Sequence, residues 1–571
     1  MPRRFGMSNQ SKSKKDKSLA VKVILCCIVF VVLIIGGWEA RRLFPYPTFL
    51  ARLNIENWQV WEFHDYFGLN PETLSIVLGD RRLASLDDPP IWINEEVFFP
   101  ALFVREYIDP FMFWDEGAQT LFVSTDTEVI GFTGEDVLKQ GKPMVSLTFL
   151  QDTYPSFSIE YRKEYNTIII TNLEKPVGIA TVTAGRTSIR YRPDCTAFIT
   201  RHAQRGTVLT IFNLDLDAEM EYIRVRTEEG LLGYVLKADI NFVAPEVYMP
   251  TLPLHFPKIN LSWEMITAPA ANIHAMNNPL PEGLNVISPT WFNFDPVSLN
   301  GEIISFASLD YVEWAHSQGV SVWAKVFDTN HSISHAILTN YQARKTAITQ
   351  LVQFVKNYNL DGININFEHI RYADGGYYVQ FLRELAPKMR QLGATLSVAT
   401  FVPAPWFTQY HHELVGRTVD FVAIMTYDEH YAGSPEPGPV ASLPFVERFI
   451  QETLMLIPRE KVLMGLPFYN RLWRVTSDGN HTIRNYGMSR PWALVEEWGV
   501  VPVWDSTAGS YYVNFTTLEE DPVTYRIWIE CERSIEAKLR IFTEYNLAGV
   551  AGWRRGLETE GVWERIRQAM S

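Results

Sequence analysis

Cysteine is scarce in this chain. The 571 residues hold four: Cys26 and Cys27 sit together in an N-terminal apolar run, and Cys195 and Cys531 lie far apart. No spacing suits a zinc site, and no disulfide framework is available, so large cores must hold by packing. Positive charge is also short. Net charge is −14, and the first 22 residues concentrate Arg3, Arg4, Lys12, Lys14, Lys15, Lys17 and Lys22 against Asp16 alone. That cluster contributes +6, which leaves the remainder near −20. Charge therefore argues against nucleic acid and against polyanion binding by charge alone. H-E-x-x-H, G-x-x-x-x-G-K-[ST] and G-x-S-x-G are all absent. Their absence removes common signatures of zinc peptidases, phosphate-loop enzymes and serine hydrolases. Glu368, His369, Asp428 and His430 do not make a metal set, because His369 follows Glu368 directly and faces away on a strand. No metal and no cofactor is expected.

Aromatic residues are plentiful. The 17 Trp and 25 Tyr exceed what packing alone needs. Flat aromatic faces are also the usual platforms for sugar rings, although most of these residues belong to cores. One apolar stretch, Ala20 to Trp38, is broken only by Lys22. At about 1.5 Å per residue it spans a bilayer as a helix. Basic residues precede it and Arg41 and Arg42 follow. The expectation is a cytoplasmic basic tail (1–19), a single-pass anchor (20–38) and later domains outside the cell membrane. A cleaved signal peptide is the alternative, with a poor cleavage site at Gly36-Gly37-Trp38-Glu39-Ala40.

Beyond the anchor, residues 43–84 read as a spacer with some helical pattern from Pro71 to Leu78. Residues 86–173 alternate short strands with one helix, Ala101 to Ile108, and form a small α+β module. It contains no His and no Cys, which leaves no copper ligands. Residues 178–243 read as a small all-β barrel. Residues 244–257 form a Pro-rich linker with Pro245, Pro250, Pro253 and Pro257. From 258 to 571 strand and helix alternate. The predicted strands are Ile259–Trp263, Val286–Pro289, Val320–Val326, Gly362–Phe367, Leu396–Thr400, Phe421–Met425, Val462–Leu466 and Gly549–Trp553. Eight such units fit an α/β fold, a (β/α)8 TIM barrel. The interval from Phe468 to Glu536 is too long for one unit and predicts an inserted α+β lobe over the barrel mouth.

The most informative segment is Asp361-Gly362-Ile363-Asn364-Ile365-Asn366-Phe367-Glu368. On a strand, Asn364, Asn366 and Glu368 share one face, and Ile363, Ile365 and Phe367 share the other. Two amides and an acid are too polar for an ordinary core face. A solvated strand edge is one reading. A catalytic acid at the C-terminal end of a barrel strand is the other.

These residues resemble the D-G-x-D-x-D-x-E signature of glycoside hydrolase family 18, which includes chitinases and wall-lytic or spore-cortex N-acetylglucosaminidases. Asp361, Gly362 and Glu368 match; Asn364 and Asn366 replace aspartates. Met425-Thr426-Tyr427-Asp428 matches the family's M-x-Y-D segment, and Trp553 matches its sugar-floor tryptophan. The resemblance implies Glu368 as general acid, with Asn366 and Tyr427 handling the substrate's acetamido group. It further implies substrate contacts from Asp361, Asn364, Trp291, Met425, Asp428, Glu530 and Trp553. For Trp291 and Trp553 plain core packing is the alternative, and for Glu530 a solvated charge. Residues 86–173 resemble the N-terminal domain of copper amine oxidases, and 178–243 a bacterial SH3-like domain. The expected partner is a polysaccharide, peptidoglycan or a chitin-like glycan. The rival expectation is a non-catalytic, lectin-like barrel, because Asn366 lacks the family's charge.

Overall fold

The structure, a computed structural model, describes residues 74–570 apart from 84–85, 126, 176–177, 213–220, 244–257 and 329. The expected tail, anchor and Pro-rich linker lie outside these residues. Among the described residues no helix is long and apolar enough to cross a membrane. Two compact units are present. One joins the residues up to Phe99 with those from Val145 to Val243; the other joins Pro100–Met144 with the residues from Lys258 on.

In the first unit, Ser75–Leu78 and Arg81–Leu83 are strands. Over residues 74–83 the expected spacer and its helical pattern are corrected; residues 43–73 lie outside the described residues. Ser75 to Leu78 pair in parallel with Thr167 to Ile170. Ile76 and Val77 are buried, and β-branched residues favour such a pleated, covered position. The described residues between 178 and 243 build a seven-stranded antiparallel sheet. Its core includes Ala180, Val182, Ile189, Leu209, Val225 and Val235.

The second unit is a barrel of eight parallel strands: β1 Ile259–Glu264, β2 Val286–Pro289, β3 Ser321–Phe327, β4 Gly362–Asn366, β5 Thr395–Thr400, β6 Phe421–Ile424, β7 Val462–Pro467 and β8 Gly549–Trp553. Each pairs with the next, and β1 pairs with β8, which closes the ring. Ile363, Ile365 and Phe367 pack outward into the main core, with Phe367 against Tyr378 and Phe381 of the helix Gly375–Gln391. The alternation therefore turns Asn364 and Asn366 into the barrel.

The insertion after β7 is a five-stranded antiparallel sheet with one helix, Arg490–Trp498. Its core includes Leu472, Leu494, Val513, Ile527 and Ile529.

The expected 86–173 module does not stand as one piece, because its residues 100–144 pack with the barrel. The cause is a buried polar knot. The Arg344 guanidinium is fully buried and donates to Asp115 Oδ2 at 2.8 Å, Glu384 Oε1 at 2.9 Å and the Leu338 carbonyl at 2.7 Å. Phe113 meets Tyr377 edge-on at 5.0 Å, and Arg383 lies over Phe111 at 4.2 Å. Removing one partner of a buried pair leaves the other charge uncompensated. Asp115→Ala is expected to destabilise this unit by about 3–5 kcal/mol, read from urea unfolding. A loss under about 1 kcal/mol would show that the knot adds little.

Candidate active site

A cleft of about 970 Å³ opens at the C-terminal ends of the barrel strands. Glu368 follows β4 and stands exposed in it. Its backbone is held from β3. Asp328 Oδ1 accepts from Glu368 N at 2.8 Å, and Asp328 Oδ2 accepts from His369 N at 2.8 Å. Ser334 Oγ donates to the same Oδ2 at 2.5 Å. One buried carboxylate thus fixes the loop that carries the acid.

Asn366 also reaches the cleft. Its Nδ2 donates to the Ala399 carbonyl at 3.3 Å. That contact orients the amide, since a carbonyl accepts only a donor, and leaves Oδ1 as the acceptor towards the cleft. Tyr427 lies close by, buried but open at the cleft. Burial, aided by the Asp428 and Glu368 carboxylates, pushes its phenol well above the ordinary tyrosine value. The hydroxyl therefore stays a proton donor at any physiological pH. Gly465 on β7 makes room for this ring. A β-carbon there would meet the Ile424 carbonyl at 2.6 Å and the ring at 3.0 Å.

Met425 lines the same cleft. Asp428 does too, with φ of 60°, a conformation unusual for a residue other than glycine. Tyr469 donates to its Oδ1 at 2.5 Å and Arg471 at 2.8 Å. Trp553 supplies a floor, 5.7 Å from Trp263. The rim carries aromatic faces: Trp406 is 67% exposed, Tyr431 is 56% exposed, and Phe401 stacks on Phe407 at 4.4 Å.

Four expected contact residues lie away from the cleft. Asp361 precedes β4, roughly 20 Å from Glu368 along an extended chain. Its Oδ2 meets His316 Nε2 and accepts from Val322 N, each at 2.7 Å. Asn364 is buried lower in the barrel. It accepts from Trp263 Nε1 at 3.0 Å and donates to Ser397 Oγ at 2.9 Å. Ser397 Oγ in turn donates to the Ile363 carbonyl, so a carboxylate at 364 would lack that donor and an amide fits. Trp291 is fully buried, donating to Asn272 Oδ1 at 2.8 Å. Glu530 is fully buried and paired with Lys538 at 2.9 Å, with Ser534 Oγ at 2.6 Å; it is not a solvated charge. Their polar atoms are occupied by structural partners.

Sequence reading missed Lys325. It lies on β3 opposite Asn364, is 6% exposed and lines the cleft. Its Nζ is 4.4 Å from the Trp553 ring centroid. Burial lowers its ammonium to about 8, opposed by the Glu368 and Asp328 carboxylates. A signal existed: one lysine in Ser321-Val-Trp-Ala-Lys-Val-Phe327, a run otherwise suited to burial on both faces. The buried charge costs stability below about pH 8. The cost fades as pH rises towards the ordinary lysine value, because the unfolded chain then holds the extra proton. Lys325→Met is expected to stabilise the barrel by about 1–4 kcal/mol at pH 7, measured by chemical unfolding, with a smaller gain at pH 10. Destabilisation at pH 7 would show that the ammonium is stably accommodated.

A carboxylic acid exposed at the end of β4, inside an aromatic-lined cleft on the C-terminal face of a (β/α)8 barrel, belongs to a glycosidase. Residues 292–558 match glycosyl hydrolases family 18. It is 27% identical over 300 residues to the uncharacterized glycosylase YvbX of Bacillus subtilis (strain 168), covering 50% of this chain and 84% of that protein. Over 242 residues it is 27% identical to the cortical fragment-lytic enzyme of Bacillus anthracis, 41% of this chain and 55% of the relative. Chitinase B of Serratia marcescens is 25% identical over 211 residues, 28% of this chain and 42% of that protein. The chain thus spans about half the length of the latter two relatives.

Proposed function

We propose that the cleft cleaves β-1,4-linked N-acetylglucosamine glycans by substrate-assisted, retaining hydrolysis. In this reading the 2-acetamido oxygen attacks the anomeric carbon while Glu368 gives its proton to the leaving oxygen. A cationic oxazolinium forms as the glycosidic bond breaks. Water then opens it and returns a proton to Glu368. Tyr427 donates to the acetamido oxygen, Asn366 Oδ1 accepts from the acetamido N–H, Trp553 floors the sugar, and Met425 and Asp428 line it. The observation that carries the reading is the meeting of an acid, an acceptor, a donor and a floor from β4, β6 and β8 in one cleft.

Asn366 supplies the hydrogen bond but no negative charge, and charge-assisted bonds are about twice as strong. The proposed enzyme is therefore slow. Peptidoglycan is the preferred polymer over chitin, given the small all-β module at 178–243. We assign that module to the SH3-like type. The anchor at 20–38 would hold the barrel outside the cell membrane.

Glu368→Gln is nearly isosteric but lacks the donatable proton. Release of reducing ends from wall glycan is expected to fall by about 10²–10⁴-fold, with glycan binding retained. If the variant keeps more than about a tenth of the rate, Glu368 is not the acid. If the parent chain binds glycan and releases nothing, the lectin-like reading replaces this one.

Asn366→Asp places a carboxylate beside the cationic intermediate. It is expected to raise kcat by about 10–100-fold. An unchanged or lower kcat would put the handicap elsewhere.

A further inference from the structure

Lys325 is a costly residue with no internal explanation. Its side chain is buried on β3 yet lines the cleft. Among the described residues none hydrogen-bonds Nζ, and its near neighbours are two rings, Trp553 at 4.4 Å and Trp263 at 5.9 Å. A buried ammonium without an acceptor is strongly disfavoured.

The carboxylates nearest in charge are not available to it. Asp328 spends both oxygens on the backbone of Glu368 and His369 and on Ser334. Glu368 makes no ion pair with Lys325 within 4.0 Å, and in the proposed reaction it must carry a proton. Directly across the ladder stands Asn364, an uncharged amide. Elsewhere in the cleft Arg471 is taken by Asp428, and Glu429 is turned to Ser442. Arg554 adds a further positive charge to the lining. The cleft floor therefore presents a cation whose counter-charge the protein withholds.

We propose that the Lys325 ammonium binds a carboxylate carried by the bound sugar, so that the cleft selects an acidic N-acetylated glycan over a neutral one. The proposal rests on the glycan-cleaving reading of the same cleft and adds the chemical class of its sugar. A carboxylate fits better than a hydroxyl, because a charge-assisted bond offsets more of the desolvation of a buried ion.

The test uses the full chain carrying Glu368→Gln, so that binding is read without turnover. Three probes are titrated by calorimetry. They are a tetrasaccharide alternating N-acetylglucosamine with N-acetylmuramic acid, the methyl ester of the same sugar, and the tetramer of N-acetylglucosamine. The acid is expected to bind about 10–100-fold tighter than its ester. Adding Lys325→Met is expected to bring that ratio close to one. Lys325→Arg, which keeps the charge, is expected to preserve a preference for the acid. Equal binding of acid and ester by the Glu368→Gln chain would overturn the proposal. So would a ratio that survives Lys325→Met. In either case hydrolysis lost only through Glu368→Gln would leave the glycosidase reading standing. Failure of all three probes to bind would overturn both readings.

Discussion

Closure of the eight-stranded ring depends on how near two strands nearly 300 residues apart can come. Ile259 pairs with Gly549 across the seam between β1 and β8. A β-carbon on Gly549 would sit 2.0 Å from the Ile259 carbonyl oxygen, so only glycine lets that ladder form. With the seam closed, Trp263 and Trp553 come to lie beside each other under the cleft, and Lys325 comes to lie over their rings. The strand ends then converge, and the acid after β4, the tyrosine after β6 and the floor at β8 share one space.

Inside that space the charged groups fall into two kinds. Asp328 is consumed in holding the backbone of the acid, and Asp428 is consumed by Tyr469 and Arg471. Contacts of this sort fix the position of the groups around the cleft. The Glu368 carboxyl and the Lys325 ammonium have no hydrogen-bonded partner among the described residues, and both line the cleft. Tyr427 and the outward oxygen of Asn366 do the same for neutral groups. Division of labour between held and free polar atoms is the physical signature of a site made for a ligand rather than for folding.

Much of this was legible from residues. The eight barrel strands fell within two residues of the pattern, because runs such as Val462–Leu466 are apolar on both faces. Alternation placed Asn364, Asn366 and Glu368 on one face, as found. It gave the face, however, and not the height. Asp361 and Asn364 share the motif with Glu368 but sit lower in the barrel, tied to His316, Val322, Trp263 and Ser397. Trp291 and Glu530 lie near strand ends yet pack away from the cleft, a matter of side-chain direction that spacing does not encode. The strand at Ser75 was hidden because its partner at Thr167 is some 90 residues away. The attachment of residues 100–144 to the barrel was hidden for the same reason, since Asp115 finds its partner at Arg344.

The inserted lobe has a further consequence. Its first strand, Tyr469–Val475, continues β7 with only Phe468 between them. Phe468 is fully buried, and its N–H donates to the Trp553 carbonyl at 2.8 Å. Further out, Trp473 donates to the Gly438 carbonyl. The wall that brings Tyr469, Arg471, Asn485 and Tyr486 to the cleft is therefore cantilevered from a barrel strand, with no flexible joint at its root. A wall continuous with a barrel strand holds that side of the cleft where the strand itself puts it.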